Sequence, residues 1–231
     1  MGYVIHTVIH FLFGASLFYI VLNKDFVSKM KRIFAFSVGG FAAIAPDITK
    51  FFGDLYGHSL WAVPIFGILI AMIARLYFKK VTLWILWLAC SISVLSHIYI
   101  DFIGNGVAFL FPFSQAEFDF YFITDNHFVF FLLPISMIIA LIYKRGKIVI
   151  LSSLLIIAIF FGILSYSKIQ LEQELKKRYQ ADSITLLLTY PRFDDQWEFQ
   201  VRTDKSWITG VAPRSIFSAD IQVEQERNVE D

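Results

Sequence analysis

Apolar residues fill the first two-thirds of the chain in long stretches, and polar residues collect in the short segments between them. Stretches near the length needed to cross about 30 Å of hydrocarbon fall at roughly residues 4–22, 33–46, 60–78, 81–100, 128–143 and 147–166. They predict an all-α polytopic membrane protein with five to six transmembrane helices. The second stretch is short and carries Gly39 and Gly40, so it reads either as a helix packed tightly among neighbours or as a segment without a regular crossing. Past residue 166 the pattern changes. Ser165 to Gln180 continues the last helix into water, with Glu172/Lys176 and Glu174/Arg178 spaced i,i+4 in the favourable order. From Ser183 to Tyr190, and at Trp197, Phe199 and Val201, apolar and polar residues alternate as in short strands. The expected organisation is a transmembrane domain over 1–166, a helical extension over 167–181 and a small C-terminal β-rich extramembrane module over 182–231. About 50 residues is marginal for an independent core, so the module is expected to lean on the membrane domain or on a protein partner.

Composition agrees with this pattern. Of 231 residues, 57% are hydrophobic, 18% aromatic and 17% charged, against about a quarter charged in an ordinary soluble domain. That surplus of apolar surface excludes a soluble enzyme. A net charge of +1 without a sustained Lys/Arg run gives no basis for nucleic-acid binding. Cys90, the single cysteine, excludes an internal disulfide or a CxxC metal site and reads as a packing residue. No Lys or Arg precedes the first apolar stretch, so a cleaved signal peptide is not expected, and His6 stands where a myristoylation motif wants Ser or Thr.

Charge also predicts orientation. Lys24, Lys29, Lys31, Arg32, then Arg75, Lys79, Lys80, then Lys144, Arg145, Lys147 occupy alternate connections, while the connections at 47–59 and 101–127 hold only Lys50. Lys and Arg are retained on the cytoplasmic side. The expectation is a multi-pass cell-membrane protein with connections 47–59 and 101–127 external, together with the C-terminal module.

All five histidines then fall on the external side: His6, His10, His58, His97 and His127. Imidazole is costly in a lipid-embedded protein unless it is used, and it is the commonest transition-metal ligand. His6/His10 and His97/Asp101 are i,i+4 pairs, each able to form one edge of a metal site. With Asp47 and His58 they make a series of nitrogen and oxygen donors from four segments. Such a set suits a divalent metal, zinc first, with manganese or iron as alternatives. A metal there would activate water and polarise a phosphoryl or carbonyl oxygen. Asp125 and His127 are spaced i,i+2 and are assigned to proton transfer, with a loop or cap role as the alternative. Asp54, Glu117 and Asp119 read as solvated loop carboxylates. Ser59 beside His58 and Ser96 beside His97 raise a Ser/His hydrolase as a minor alternative. The aromatic stretch from Phe109 to Phe122 reads as an interfacial loop or as a wall for an amphiphilic substrate.

At these residues the sequence resembles the bacterial membrane-bound metal-dependent hydrolase family (YdjM-like). The matching elements are His10 and Gly14 on the first helix, Ala45-Pro46-Asp47-Ile48, Gly57-His58-Ser59-Leu60, and Ser96-His97-x3-Asp101 followed by Gly106 and Phe111-Pro112-Phe113-Ser114. The resemblance covers about the first 130 residues. By order of ligands, this family is similar to zinc-dependent phospholipase C and related nucleases, an analogy and no more. Family members commonly carry a second Asp and often a His where this chain has Thr49 and Lys50, and the phospholipase-type His-x3-Glu pair is absent. The resemblance therefore implies a centre of one or two ions. It points to a hydrolase acting on a phosphoester of a lipid or envelope component, with membrane lipid or another amphiphilic or small molecule as substrate. His10, Asp47, His58, His97 and Asp101 would be the ligands, with His6 as a further ligand or an orienting partner. The rivals are a metal-ion or solute transporter and a non-catalytic regulatory membrane protein with a residual metal site.

Overall fold

A computed structural model describes residues 2–22, 28–52, 56–123, 128–192, 194–217 and 220–228. The chain divides into two compact units, one holding the described residues up to Phe120 and from Phe128 to Ile157, the other Tyr121–Ile123 and those from Ala158 onward.

The first unit is helical. Helix α1 (Gly2–Leu22) and helix α2 (Lys29–Ile44) pack backbone against backbone. A Cβ on Gly14 would lie 2.3 Å from Ala43 Cβ and 2.6 Å from the Gly39 carbonyl, so this approach requires the two glycines. Ser28 caps α2 by accepting from Lys31 N. Past Ile44 the chain tightens into 3₁₀ turns over Ala45–Phe52, beginning at Pro46, which has no N–H to continue an α-helix. A further turn, Tyr56–His58, leads to α3 (Ala62–Arg75), followed by α4 (Leu83–Gly104). Helix α5 (Leu132–Ile142) follows a turn at Phe128–Phe131, and α6 (Gly146–Arg178) begins in this unit. The core is Phe18, Tyr19, Leu22, Leu86 and Cys90, with Tyr19 stacked on Phe36 at 4.7 Å. Ser93 Oγ donates to the Gly14 carbonyl at 3.0 Å, fixing α4 against α1. At the far end Arg32 Nη1 donates to the carbonyls of Ala140 and Tyr143, where α5 ends and its dipole favours a cation.

Among the described residues four elements are long and apolar enough to cross a membrane: Val4–Leu22, Lys29–Lys50, Leu83–Gly104 and Gly146–Arg178. The expected count of five to six is not confirmed by these lengths. Stretches 60–78 and 128–143 are apolar throughout, but only 14 and 11 of their residues are α-helical. At about 1.5 Å per residue these helices fall short of the hydrocarbon thickness. Hydropathy does not register where a helix gives way to a turn. Conversely, the second stretch, read as the least regular, belongs to a 22-residue element because α2 starts four residues earlier than its apolar run and continues as 3₁₀ turns.

In the second unit, α6 carries a four-stranded antiparallel meander, β1 (Ile184–Pro191), β2 (Gln196–Thr203), β3 (Ser206–Pro213) and β4 (Gln222–Asn228), in the order β1-β2-β3-β4. Alternation buries Trp197, Phe199 and Val201 on one face, joined by Ile208 and Ala212. The sheet is fastened to α6 by polar bonds. Trp197 Nε1 donates to Ser167 Oγ at 3.0 Å, and Lys168 Nζ donates to the Thr189 carbonyl at 2.6 Å and hydroxyl at 2.5 Å. Glu172 closes this knot against Lys168 at 3.1 Å and accepts from Thr189 Oγ1, so its ion-pair partner is Lys168 where the sequence pattern suggested Lys176.

Candidate metal centre

Four segments converge at one end of the first unit. His6 and His10 project from α1, one turn apart. His97 and Asp101 do the same from α4. Asp47 sits in the turn after α2, and His58 closes the turn before α3. None of the six is more than 9% exposed.

Their donor atoms form two groups, His6/His10/Asp101 and Asp47/His58/His97, each with its atoms within 4.8 Å of one another. In the first, Asp101 Oδ1 lies 3.0 Å from His6 Nε2 and 3.3 Å from His10 Nε2, and the two Nε2 atoms are 2.8 Å apart. In the second, His58 Nε2 and His97 Nε2 are 3.0 Å apart, and Asp47 Oδ1 stands 3.5 and 3.7 Å from them. The other oxygen of Asp101 faces the second group, 3.3 Å from His97 Nε2 and 3.5 Å from His58 Nε2. One carboxylate thus addresses both groups. The His97/Asp101 pair meets as its spacing suggests, and Asp101 reaches the α1 histidines as well.

Close backbone packing makes the second group. A Cβ on Gly57 would meet the Pro46 carbonyl at 2.4 Å and Thr49 Oγ1 at 2.5 Å, so only glycine lets the His58 turn lie against the Asp47 turn. Thr49 ties the two turns, accepting from Gly57 N at 3.2 Å and donating to the Pro46 carbonyl at 3.0 Å. Ring packing orients the imidazoles. His10 stacks on His97 at 4.0 Å between centroids, while His6 meets His10, and His58 meets His97, edge-on.

The donor set fits a cation. All four imidazoles turn Nε2 inward toward two carboxylates, and Lys50 is paired with Asp47 Oδ1 at 2.9 Å. Among the described residues the buried Nδ1 atoms of His10, His58 and His97 have no hydrogen-bond partner. A cation held among the inward Nε2 atoms would balance the two buried carboxylates, which Lys50 alone does not. The mixture of imidazole and carboxylate suits zinc, manganese or iron. The outer hydrogen bond that usually orients a metal-bound imidazole is replaced at these three rings by stacking.

Two further neighbours are Lys50, met in the sequence only as a loop cation and a departure from the family pattern, and Asn105, which the sequence did not single out. Asn105 Nδ2 lies 2.9 Å from His6 Nε2 at the exposed end of α4. Their signal was position alone, three residues after Asp47 and four after Asp101. Asp125, His127 and Asp54 lie outside the described residues. Glu117 and Asp119 are exposed, as loop carboxylates should be. The hydroxyls of Ser59 and Ser96 donate to the carbonyls of Tyr56 and Ser93, which removes the geometric basis for a Ser/His nucleophile. In the aromatic loop Phe113 is 81% exposed and meets Trp61 at 5.8 Å, and Cys90 is free and buried.

A helical unit with several membrane-length apolar elements and a buried His/Asp cluster at one end, followed by a small sheet, defines an integral membrane protein with a potential metal centre. The chain belongs to the YdjM inner membrane protein family, whose profile matches residues 5–170. No curated protein and no solved structure matches it. The matched span includes all six clustered residues and ends within α6, before the sheet.

Proposed function

We propose that this protein is a multi-pass membrane hydrolase that uses a divalent metal to cleave a phosphoester of a lipid or envelope component, with its centre and C-terminal sheet on the external side. The observation that carries the reading is the placement of Asp101, whose two oxygens address two imidazole pairs inside a buried pocket. His6, His10 and Asp101 would hold one cation and Asp47, His58 and His97 a second. When bound, such ions polarise a phosphoryl oxygen and bring the pKa of water toward neutrality, so that hydrolysis needs no protein nucleophile.

The chain's own groups supply the rest. Burial excludes bulk water from the donors. Lys50, 42% exposed on its side chain, offers an ammonium to an anionic substrate at the rim. Asn105 offers an amide beside His6. The external orientation rests on the distribution of Lys and Arg between alternate connections.

The test is metal analysis of purified wild type against His97→Ala and Asp101→Ala, followed by a phosphodiester hydrolysis screen. Stoichiometric metal in wild type, its loss in both variants and turnover that tracks it are expected. Metal without turnover would favour a regulatory protein, and metal uptake into vesicles a permease. A reporter fused after Asp231 checks orientation, and a cytoplasmic signal would overturn the external placement of the sheet.

A further inference from the structure

A cavity in the first unit has a volume of about 620 Å³ and runs along α2 from Phe34 through Val38 and Phe41 and on to Asp47 and Ile48 in the turns beyond it, with Ile70 and Ile73 of α3 also in its lining. Its size is that of a small-molecule site, and its walls are almost wholly apolar. One end differs. Asp47 belongs at once to the cavity lining and to the His/Asp cluster, and Lys50 is paired to it at the surface. From Phe34 to Ile48 the groove follows a 15-residue segment, roughly 20 Å at helical rise, which exceeds one hydrocarbon leaflet of about 15 Å. Phe41, Ile48 and Ile73 stay exposed along it, on elements that include the membrane-length span Lys29–Lys50.

An aqueous metabolite gains little in a trough whose lining is apolar apart from Thr7, Ser37 and Asp47, and a helical partner would leave the ammonium of Lys50 without a counter-charge beyond Asp47. A molecule that is hydrocarbon along one part and anionic at one tip matches both features. The bilayer around α2 and α3 supplies such molecules at high local concentration. We propose that this groove seats one acyl chain of an anionic glycerophospholipid, entering sideways from the bilayer, so that its phosphate arrives at Lys50 and the edge of the His/Asp cluster. This rests on the hydrolase reading and names its substrate class. The side chains divide the work: the apolar wall selects a chain, and Lys50 selects the negative headgroup.

The experiment uses full-length protein in vesicles of phosphatidylcholine containing a small fraction of phosphatidylglycerol with a photoactivatable diazirine on one acyl chain, the adducts being mapped by mass spectrometry. Adducts are expected to concentrate on the peptides holding Phe34–Ile48 and Ile70–Ala74, above the level on the exposed faces of α5 and α6. Ser37→Phe narrows the groove from a position whose hydroxyl donates to the Ile33 carbonyl of its own helix; it should cut those adducts several-fold. Lys50→Gln should keep the adducts but remove the preference for phosphatidylglycerol over a diazirine phosphatidylcholine, a change of about fivefold for one surface cation. Adducts no denser than on α5 and α6, or unchanged in Ser37→Phe, would overturn the groove. Equal labelling by the two lipids in wild type would overturn the headgroup assignment, and protein–protein crosslinks at these peptides in place of lipid would assign the face to a second copy. The readout contains no hydrolysis and no metal, so its failure leaves the metal analysis standing, and a metal-free protein can still pass it.

Discussion

Two buried polar knots, one in each unit, are built on opposite plans. In the second unit Lys168 is balanced locally: its ammonium donates twice to Thr189, faces Glu172 at 3.1 Å, and Glu172 accepts from the same threonine. In the first unit two carboxylates and four imidazoles are gathered with Lys50 at the edge, paired to Asp47, and among the described residues three ring nitrogens have no partner. Buried polar groups normally satisfy one another, because an unsatisfied one costs roughly 1–3 kcal/mol. The Lys168 knot therefore explains itself as a fastening between α6 and the sheet. In the His/Asp cluster two carboxylates face one lysine, so a bound cation would balance its charge, and this contrast is the physical basis for proposing that one knot is structural and the other functional.

The contrast breaks most clearly under metal. If the cluster takes zinc, adding the ion at about 100 times its dissociation constant to chelator-treated protein should stabilise the fold by about 2.7 kcal/mol, read as a rise in the thermal unfolding midpoint in detergent. Asp101→Asn should abolish that rise by removing the carboxylate charge that both groups share. Lys168→Met should do the converse, costing about 2–4 kcal/mol by stranding Glu172 and Thr189 while leaving the zinc-dependent increment intact. A zinc response that survives Asp101→Asn, or vanishes with Lys168→Met, would erase the distinction between the two knots.

A smaller effect comes from geometry without charge. Gly57→Ala places a Cβ against the Pro46 carbonyl and Thr49 Oγ1, so the His58 turn must retreat from Asp47. Overpacking of this kind costs about 1–3 kcal/mol. Zinc affinity in a competitive chelator titration should fall about 10- to 100-fold, the range found when a group that positions a ligand is disturbed. Affinity equal to wild type would mean that Asp47 and His58 do not bind together.

How much of this was readable from the sequence depends on what each residue answers to. The six clustered residues stand out because imidazole and carboxylate are rare among lipid-facing residues and because two pairs share a helical face, both local properties. Their division into two groups was not readable. Asp101 turns toward α1 as well as toward His97, and only the packing of α1 on α4, through Gly14 and Ser93, sets that. Thr49 and Lys50 looked like lost ligands when compared with relatives, yet here one joins two turns and the other holds Asp47. Glu172 was assigned to Lys176 by helix spacing, but Thr189, 17 residues onward, draws it to Lys168. Helices α3 and α5 are shorter than their apolar stretches because apolar composition persists through the turns at their ends.

The finest test separates the two donor groups. Thr49→Val keeps nearly the same shape but deprives Gly57 N of its acceptor and leaves the Pro46 carbonyl without its hydroxyl donor. The cost should be about 1–2 kcal/mol, and it falls on the link between the Asp47 and His58 turns alone. His6, His10 and Asp101 are carried on α1 and α4 and touch neither turn through Thr49. If two ions bind, a zinc titration of Thr49→Val should therefore show one step weakened by about tenfold, the equivalent of 1.4 kcal/mol, and the other unmoved. Equal weakening of both steps would mean that Asp101 couples the groups so tightly that they behave as one site; a single step in wild type would mean that one ion is shared between them.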